Sequence, residues 1–210
     1  MQDDSRRKKH WENIYKTKDL KDLSWFQSLP ETSLEFLKEL HIDKTAKIID
    51  VGGGDSYLAD NLLDLGYTDI TVLDISDLAL EKAKHRLGER AVKVKWIVTD
   101  ITHFSPSEKY DFWHDRATFH FLTEEAEIEA YINNAAMGIK PSGILVIGTF
   151  SEKGPLKCSG IEIKQYSENT ITNRLKKYFE KIRCITTDHK TPFDTFQNFI
   201  FCSFRKIQLT

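Results

Sequence analysis

The fold of this chain is decided by the stretch Ala46-Lys47-Ile48-Ile49-Asp50-Val51-Gly52-Gly53-Gly54, in which an apolar run ends in a carboxylate and three glycines. The run has the length of a buried β-strand, and glycine allows the positive φ angles of a tight turn. Leu58, Leu62 and Leu65 follow at helical spacing, with Ser56 as a candidate cap. The stretch therefore predicts a strand, a glycine turn and a helix.

The same alternation continues along the chain. A second apolar run at 70–73 leads through Asp74 to a helix that begins near Ser76 and ends at Gly88. Further strands are expected at 92–98, 110–113 and 144–150 (after a turn at Pro141-Ser142-Gly143), and further helices at 10–16, 32–40, 124–137 and 167–178. Alternating strands and helices predict an α/β fold with an open parallel sheet covered on both sides. Two last strands, at 181–187 and 198–204, predict an antiparallel hairpin at one edge of the sheet.

Length and composition favour one domain with three parts. The chain has 210 residues, of which 40% are hydrophobic and 30% charged. We divide it into an N-terminal helical lid and substrate segment (1–45), a cofactor-binding core (46–150), and a substrate loop with a closing helix and hairpin (151–210). The net charge of −2 argues against a nucleic-acid binder. No apolar run is long enough for a membrane span or a signal peptide, so we expect no membrane partner.

Two further residue types bear on location and metal binding. The cysteines are three in number, Cys158, Cys184 and Cys202, and lack C-x-x-C spacing. This pattern predicts buried, reduced thiols rather than disulfides or a zinc site, and with them a cytoplasmic location. The seven histidines include no H-x-x-x-H pair, so no catalytic metal is expected. The basic run 6–9 is expected to be a solvated first turn.

Carboxylates end the first three predicted strands, at Asp50, Asp74 and Asp100. Asp74 lies 20 residues after Gly54, the separation at which a carboxylate accepts hydrogen bonds from ribose hydroxyls. Three carboxylates would repel a pyrophosphate, and Tyr57 stands where a dinucleotide fingerprint has its third glycine. A ligand with an ammonium group, a ribose and an adenine amine suits this edge better, which describes S-adenosylmethionine. The alternative is that each aspartate only caps its turn.

These motifs together resemble those of the class I S-adenosylmethionine-dependent methyltransferases. The resemblance rests on Ile48–Gly54, Val72-Leu73-Asp74, Thr99-Asp100-Ile101 and Lys140-Pro141-Ser142-Gly143-Ile144. It implies a three-layer, Rossmann-like, doubly wound and mostly parallel seven-stranded sheet that ends in an antiparallel hairpin. It also implies S-adenosyl-L-methionine as cofactor and S-adenosyl-L-homocysteine as product.

The resemblance assigns cofactor contacts to particular positions. It places Asp50, Gly52, Gly53 and Gly54 around the methionine portion, Asp74 with Ile75 at the ribose, and Asp100 with Ile101 at the adenine; Asp115 also borders the cofactor. The turn continues as Asp55-Ser56, where the family alternates glycine with another residue, which leaves the backbone contacts to the methionine carboxylate open. More narrowly, residues 10–12, 24–27 and 115–122 are similar to a group of small bacterial methyltransferases. The same opening is similar to some eukaryotic protein lysine methyltransferases.

Polar residues at the end of the fourth strand are the candidate catalytic groups. Methyl transfer by in-line displacement needs a positioned nucleophile, and a base only where that nucleophile arrives protonated. His114 or His120 is a candidate base, and Asp115 a candidate to orient a histidine or an amine. The alternatives are an Asp115–Arg116 ion pair and histidines that pack in the core.

Other residues are candidates for the substrate pocket. Trp25 and Phe26 precede the core, where an aromatic lid would exclude water and contact a sulfonium by cation–π interaction. Arg116 and Cys158 lie where the fourth and fifth strands lead into loops. Simple packing is the alternative for the aromatic pair.

The leading hypothesis is a methyltransferase that acts on a small molecule rather than a protein. One alternative is a protein lysine methyltransferase, and another is a non-catalytic S-adenosylmethionine-binding module. A nucleotide-sugar or NAD enzyme is disfavoured by Tyr57.

Overall fold

A seven-stranded sheet in the order β3-β2-β1-β4-β5-β9-β8 forms the centre of the computed structural model, which describes residues 2–208. Five strands are parallel: β1 (Lys47–Val51), β2 (Asp69–Asp74), β3 (Val94–Val98), β4 (Tyr110–Arg116) and β5 (Ile139–Phe150). β9 (Phe196–Lys206) runs antiparallel to both β5 and β8 (Phe179–Lys190). The predicted α/β fold, with its antiparallel terminal hairpin, is confirmed.

Six α-helices flank the sheet: α1 (Gln2–Thr17), α2 (Glu31–Glu39), α3 (Leu58–Asp64), α4 (Asp77–Leu87), α5 (Glu125–Gly138) and α6 (Glu168–Leu175). Apolar side chains of α2, α3 and α4 pack on one face of the sheet, and those of α5 and α6 on the other. The result is a three-layer arrangement around two buried apolar cores. In the described part of the chain, no helix is both long enough and apolar enough to cross a membrane.

Local signals explain where α4 begins and ends. The Ser76 hydroxyl accepts a hydrogen bond from the Ala79 amide, and Gly88 takes a φ angle of +57° after the last turn. Both features follow the sequence expectation, because serine satisfies a free amide at a helix start and glycine accepts a positive φ.

The fifth strand, β5, begins earlier than the predicted residue 144. It begins at Ile139, which pairs with Tyr110, whereas Phe112 pairs with Ile144. Residues 140–143 therefore bulge within the strand instead of forming a turn before it, and Ser142 has a φ of +62°. The loop at 151–160 likewise contains a short antiparallel pair, β6 (Lys157–Cys158) with β7 (Ile161–Glu162).

The N-terminal helix is held against the core by polar contacts. The Glu12 carboxylate accepts hydrogen bonds from the amides of Asp77 (2.8 Å) and Leu78 (3.4 Å), at the start of α4. Lys82 donates from Nζ to the Tyr15 carbonyl at 2.5 Å. A carboxylate at a helix N-terminus is stabilised by free amides and the helix dipole. These contacts dock α1 onto α4, close to the carboxyl end of β2.

The expectation of reduced thiols is wrong for two of the three cysteines. Cys184 on β8 lies directly opposite Cys202 on β9, with Cα atoms 4.1 Å apart, and the two form a disulfide. Cys158 is free and buried. The pairing depends on the register of the hairpin, which shifts between Lys181 and Arg183. The number and spacing of the cysteines do not specify that register, so the disulfide could not be predicted from them.

Candidate active site

Two neighbouring cavities open at the carboxyl ends of the parallel strands. The first cavity is lined by Arg7, Trp11, Tyr15, Trp25, Gly52, Leu73, Asp74, Ile75, Thr99, Asp100, Ile101, Arg116, Ala117, Thr118, Phe121, Leu122 and Cys158. The second cavity is lined by Tyr15, Leu20, Trp25, Phe26, Gln27, Pro30, Ser33, Asp50, Gly52, Gly53, Ser56, Tyr57, Leu58, His114 and Arg116. Both cavities contain residues that the sequence assigned to the cofactor and the substrate. Such positions are where open α/β sheets bind ligands.

The glycine turn is fixed to the neighbouring strand and closely surrounded. The amides of Gly52 and Gly53 donate to the Leu73 carbonyl, at 2.7 and 3.2 Å. Gly52 has a φ of +65°. A Cβ atom there would overlap the Thr118 hydroxyl, and one at Gly53 would lie 2.5 Å from the Asp50 carboxylate. The turn therefore needs glycine both for its backbone angles and for the approach of polar groups.

Asp74 ends β2 with its carboxylate facing the first cavity. The side chain is buried, and Oδ1 accepts a hydrogen bond from the Ser76 amide at 2.8 Å. Burial raises the pKa of Asp74 to about 7, although amide donors oppose the rise. Additional hydrogen-bond donors would therefore stabilise the ionised carboxylate of Asp74. The two hydroxyls of a ribose are such donors.

We expect affinity for S-adenosylhomocysteine to increase with pH through this group. The Asp74 carboxyl of the unliganded protein is largely protonated below its pKa of about 7, and ribose donors favour the ionised form. Binding should therefore release a proton near pH 6 to 7, and affinity should rise roughly 20-fold between pH 5.5 and 7.5. Calorimetric titration in two buffers of different ionisation enthalpy measures both effects.

The matched control is Asp74→Asn, which keeps the shape of the side chain but cannot ionise. This variant should show a flat profile over the same pH range. A wild-type affinity that does not change with pH would contradict the assignment of Asp74 to the ribose.

Asp100, the candidate for adenine, already carries several hydrogen bonds. Its Oδ1 accepts from the Thr102 amide (2.8 Å) and hydroxyl (2.7 Å), and its Oδ2 accepts from Arg7 Nη1 at 2.7 Å. Arg7 also pairs with Glu127. The expectation that the basic run is only solvated is therefore wrong for Arg7, whose side chain is 17% exposed. The ion pair joins α1 to the loop after β3 and forms one end of the first cavity.

A buried hydrogen-bonded chain lies under the second cavity. Asp50 Oδ1 is 2.7 Å from His114 Nδ1, and His114 Nε2 is 2.9 Å from the Ser33 hydroxyl. The order of groups is that of a hydrolytic triad, but the nearby amides of Gly52 and Gly53 already donate to the Leu73 carbonyl. The chain instead ties β1, β4 and α2 together. Both ring nitrogens of His114 have partners, so this candidate base is held in place.

Asp115 and His120 lie outside the lining of both cavities. Asp115 is fully buried, and its Oδ1 accepts from the amides of Thr118 (2.9 Å) and Phe119 (3.3 Å). This contact shapes the loop in which Ala117 takes a φ of +71°. Burial raises the pKa of Asp115 to about 6. The carboxylate forms no ion pair with Arg116 among the residues described.

His120 packs in the apolar interior. Its ring lies 4.6 Å from that of Phe150, between centroids, and Nδ1 accepts a long hydrogen bond (3.3 Å) from the Phe150 amide. Burial lowers the pKa of His120 to about 3, so the ring is neutral at pH 7. As the structure places it, His120 has neither the access nor the basicity of a general base.

Aromatic side chains enclose the space between the two cavities. Trp11 contacts Trp25 edge-on, with ring centroids 5.9 Å apart, and contacts Phe121 at 4.9 Å. Trp25 lines both cavities, whereas Phe26 faces Tyr57 at 6.0 Å in the second. The predicted pair therefore lies at the site, but Trp25 is the central member. These rings exclude water and offer faces to a cation.

Arg116 and Cys158 complete the site on the side of β5 and β9. Arg116 Nη1 donates to the Trp25 carbonyl at 3.0 Å, and its guanidinium lies 5.2 Å from the centre of the Phe199 ring. Burial lowers the pKa of Arg116 to about 10, which leaves it charged at neutral pH. Burial raises the pKa of the Cys158 thiol to about 11. A protonated thiol is a poor nucleophile.

Sequence reasoning missed some residues of this site. Arg7, Ser33 and Phe121 were not assigned, and Gly54 lines neither cavity although its place in the turn is as expected. Phe121 lies within the segment 115–122 that carried a family resemblance, which was the available signal. No sequence signal pointed to Arg7 or Ser33, because their hydrogen-bond partners, Asp100 and His114, are 93 and 81 residues away.

The site fits S-adenosylmethionine in its donors and shape. Leu73, Ile75 and Ile101 line the first cavity together with Asp74 and Asp100, which gives it apolar surface for a flat adenine ring beside carboxylates that accept hydrogen bonds. Asp74 would hold the ribose, and the glycine turn, of which Gly52 lines both cavities, would lie beside the amino-acid portion. Among the side chains described, those of residues 5–208, no three histidine, cysteine or acidic groups converge as metal ligands.

Comparison with known proteins identifies the class. Residues 48–143 match the family described as "Methyltransferase domain". The chain is 29% identical over 123 residues to eEF1A lysine and N-terminal methyltransferase of Mus musculus, which covers 57% of this chain and 17% of that protein. It is 25% identical over 146 residues to malonyl-[acyl-carrier protein] O-methyltransferase 2 of Ilyobacter polytropus, covering 66% and 54%. The chain thus spans about a sixth of the first relative and about half of the second.

A solved structure shares the fold over nearly the whole chain. It is the 1,6-didemethyltoxoflavin-N1-methyltransferase of Burkholderia thailandensis with bound S-adenosylhomocysteine, with a TM-score of 0.75 at 16% identity, covering 97% of this chain and 88% of that one. The chain therefore shares the fold of this methyltransferase, and its residues 48–143 resemble a methyltransferase domain.

Proposed function

We propose that this chain is an S-adenosylmethionine-dependent methyltransferase, and that it acts on a small-molecule acceptor that enters beside Trp25, Arg116 and Cys158. The observation that carries the proposal is the enclosure of the first cavity. Its walls include Trp11 from α1, Phe121 from the loop after β4, and Cys158 from the loop after β5. A chamber that separate segments of one chain close around the cofactor favours a compact acceptor, which can enter beside the cofactor, over a folded protein surface.

The residues of the site support catalysis by position and exclusion of water. S-adenosylmethionine supplies an electrophilic methyl group when bound. The glycine turn and Asp74 would hold it, and Trp11, Trp25 and Phe121 would exclude water and face its positive charge. Of the proposed catalytic groups, His114 is hydrogen-bonded at both nitrogens, and Asp115 and His120 line neither cavity. This arrangement favours an acceptor whose nucleophile arrives with a free lone pair.

The test is transfer of a radiolabelled methyl group from S-adenosylmethionine by the purified protein. A metabolite extract and a protein lysate of the source organism would be offered separately, with Asp74→Ala as the control for dependence on the site. We expect label in the metabolite fraction. Label only in precipitated protein would overturn the small-molecule assignment and favour lysine methylation of proteins. Tight binding of S-adenosylhomocysteine without any transfer would instead identify a non-catalytic module.

A further inference from the structure

A half-buried arginine, Arg116, lies between the two cavities and has no counter-ion among the described residues. Arg116 lines both of them, and its Nη2 atom is buried with no hydrogen-bond partner. Its one hydrogen bond is from Nη1 to a neutral carbonyl, that of Trp25. Among the described residues, Arg116 forms no ion pair. A buried charge without a partner is costly, so its retention at a cavity wall needs a reason.

None of the described groups around Arg116 forms an ion pair with it. Asp50, a carboxylate that favours the charged form of Arg116, makes its direct contact with His114 instead. Cys158 remains protonated at neutral pH because burial raises its pKa to about 11. His120 and His189 have pKa values lowered to about 3 and about 4, by burial and by Arg116 itself, so both are neutral. Among the described residues, Arg116 therefore has no carboxylate or other anion in direct contact with its guanidinium.

The contacts of Arg116 lie on the acceptor side of the sheet. They come from Trp25 in the N-terminal segment and Phe199 on β9, with Cys158 nearby in the loop after β5. The carboxylates assigned to the cofactor, by contrast, end β1, β2 and β3. A group that pairs with Arg116 from this side would belong to the molecule that receives the methyl group.

We propose that Arg116 binds a carboxylate on the acceptor, and that the acceptor of this enzyme is a small monocarboxylate. A single unpaired guanidinium can pair with one carboxylate of the acceptor. The other cation that lines the first cavity, Arg7, already pairs with Asp100 and Glu127. Guanidinium groups pair with planar carboxylates through charge-assisted hydrogen bonds. The inference rests on the proposed function only in treating this side as the acceptor pocket.

The experiment compares the wild-type protein with Arg116→Gln and Arg116→Lys by calorimetric titration. S-adenosylhomocysteine is titrated first, and the loaded proteins are then titrated with acetate, benzoate and the neutral benzamide. The matched control is Arg205→Gln, an arginine on β9 that donates to the Ser142 carbonyl at an exposed position. The thermal midpoint of each variant shows whether it is folded; if Arg116→Gln is not, Arg116→Lys serves in its place.

We expect unchanged binding of S-adenosylhomocysteine in all variants. The loaded wild type and Arg205→Gln should bind a carboxylate in preference to benzamide, and Arg116→Gln should weaken that binding about 10- to 100-fold, with a smaller loss in Arg116→Lys. A similar loss of S-adenosylhomocysteine affinity in Arg116→Gln would overturn the proposal, because the guanidinium would then hold the carboxylate of the cofactor. Equal binding of carboxylates and benzamide would also overturn it. Neither result depends on turnover, so the proposed methyl transfer would stand or fall separately.

Discussion

Replacing Gly52 by valine is expected to abolish binding of S-adenosylhomocysteine and to lower the free energy of unfolding by at least about 3 kcal/mol. Two costs combine at this position. The φ angle of +65° is disfavoured for any side chain and most of all for a β-branched one. The new Cβ would also overlap the hydroxyl of Thr118, which is itself hydrogen-bonded to the Val51 carbonyl at 3.2 Å. Denaturant unfolding and calorimetric titration measure the two effects.

Gly66 provides the matched control for Gly52. It has a φ of +85°, but nothing lies within 4 Å of a Cβ added there. Gly66→Val should therefore lower the free energy of unfolding only through the disfavoured φ angle, by about 1–2 kcal/mol, and should leave ligand affinity unchanged. The difference between the two variants gives the cost of the contact with Thr118. If Gly52→Val were as stable as Gly66→Val and still bound the ligand, the turn would not approach the cofactor as we infer.

The course of the chain could be predicted because its signals are local. Alternating apolar periodicity, the Ser76 cap and the Gly88 stop each act within a few residues, and they specify strands and helices in their observed order. The three carboxylates share one edge because parallel strands end together. The cofactor class followed from that edge, since its chemistry depends on residue types at strand ends rather than on the details of packing.

Contacts between distant segments could not be predicted. The Arg7–Asp100 ion pair joins residues 93 apart, and the Asp50–His114–Ser33 chain spans three elements. Such pairs depend on how α1 and α2 dock onto the sheet, which no periodicity reveals. The same limit applies to the disulfide, which requires the β8–β9 register.

The candidate catalytic residues lie close together in the sequence, but their side chains have different surroundings and different roles. Asp115 and Arg116 are adjacent on β4, and alternation along a strand sends their side chains to opposite faces. Asp115 binds the amides of Thr118 and Phe119 on one face, while Arg116 reaches the cavities on the other. The sequence predicts that Asp115 and Arg116 lie near the site, but it does not specify on which face of the sheet the cavities lie. His120 differs again, because its short helical turn directs it into the core.

Removing the carboxylate of Asp74 is expected to weaken binding of S-adenosylhomocysteine by about 1.5–3 kcal/mol, or roughly 10- to 100-fold. Asp74→Ala deletes a buried acceptor at the point where the first cavity meets β2. It also leaves the Ser76 amide without its carboxylate partner, so unfolding must be measured beside calorimetric binding. Asp64→Ala, at a 65% exposed side chain on α3, is the matched control and should change neither quantity.

The size of the Asp74 effect should depend on pH, which separates a role in binding from a role in packing. Below pH 6 the wild-type carboxyl is mostly protonated, because burial raises its pKa to about 7, so wild type and variant should bind with similar affinity. Above pH 7.5 the wild-type carboxylate is ionised and the gap should be widest. A loss that is the same at both pH values would mean that Asp74 supports the turn through Ser76 alone, and the ribose would then have to find its acceptor elsewhere on this edge.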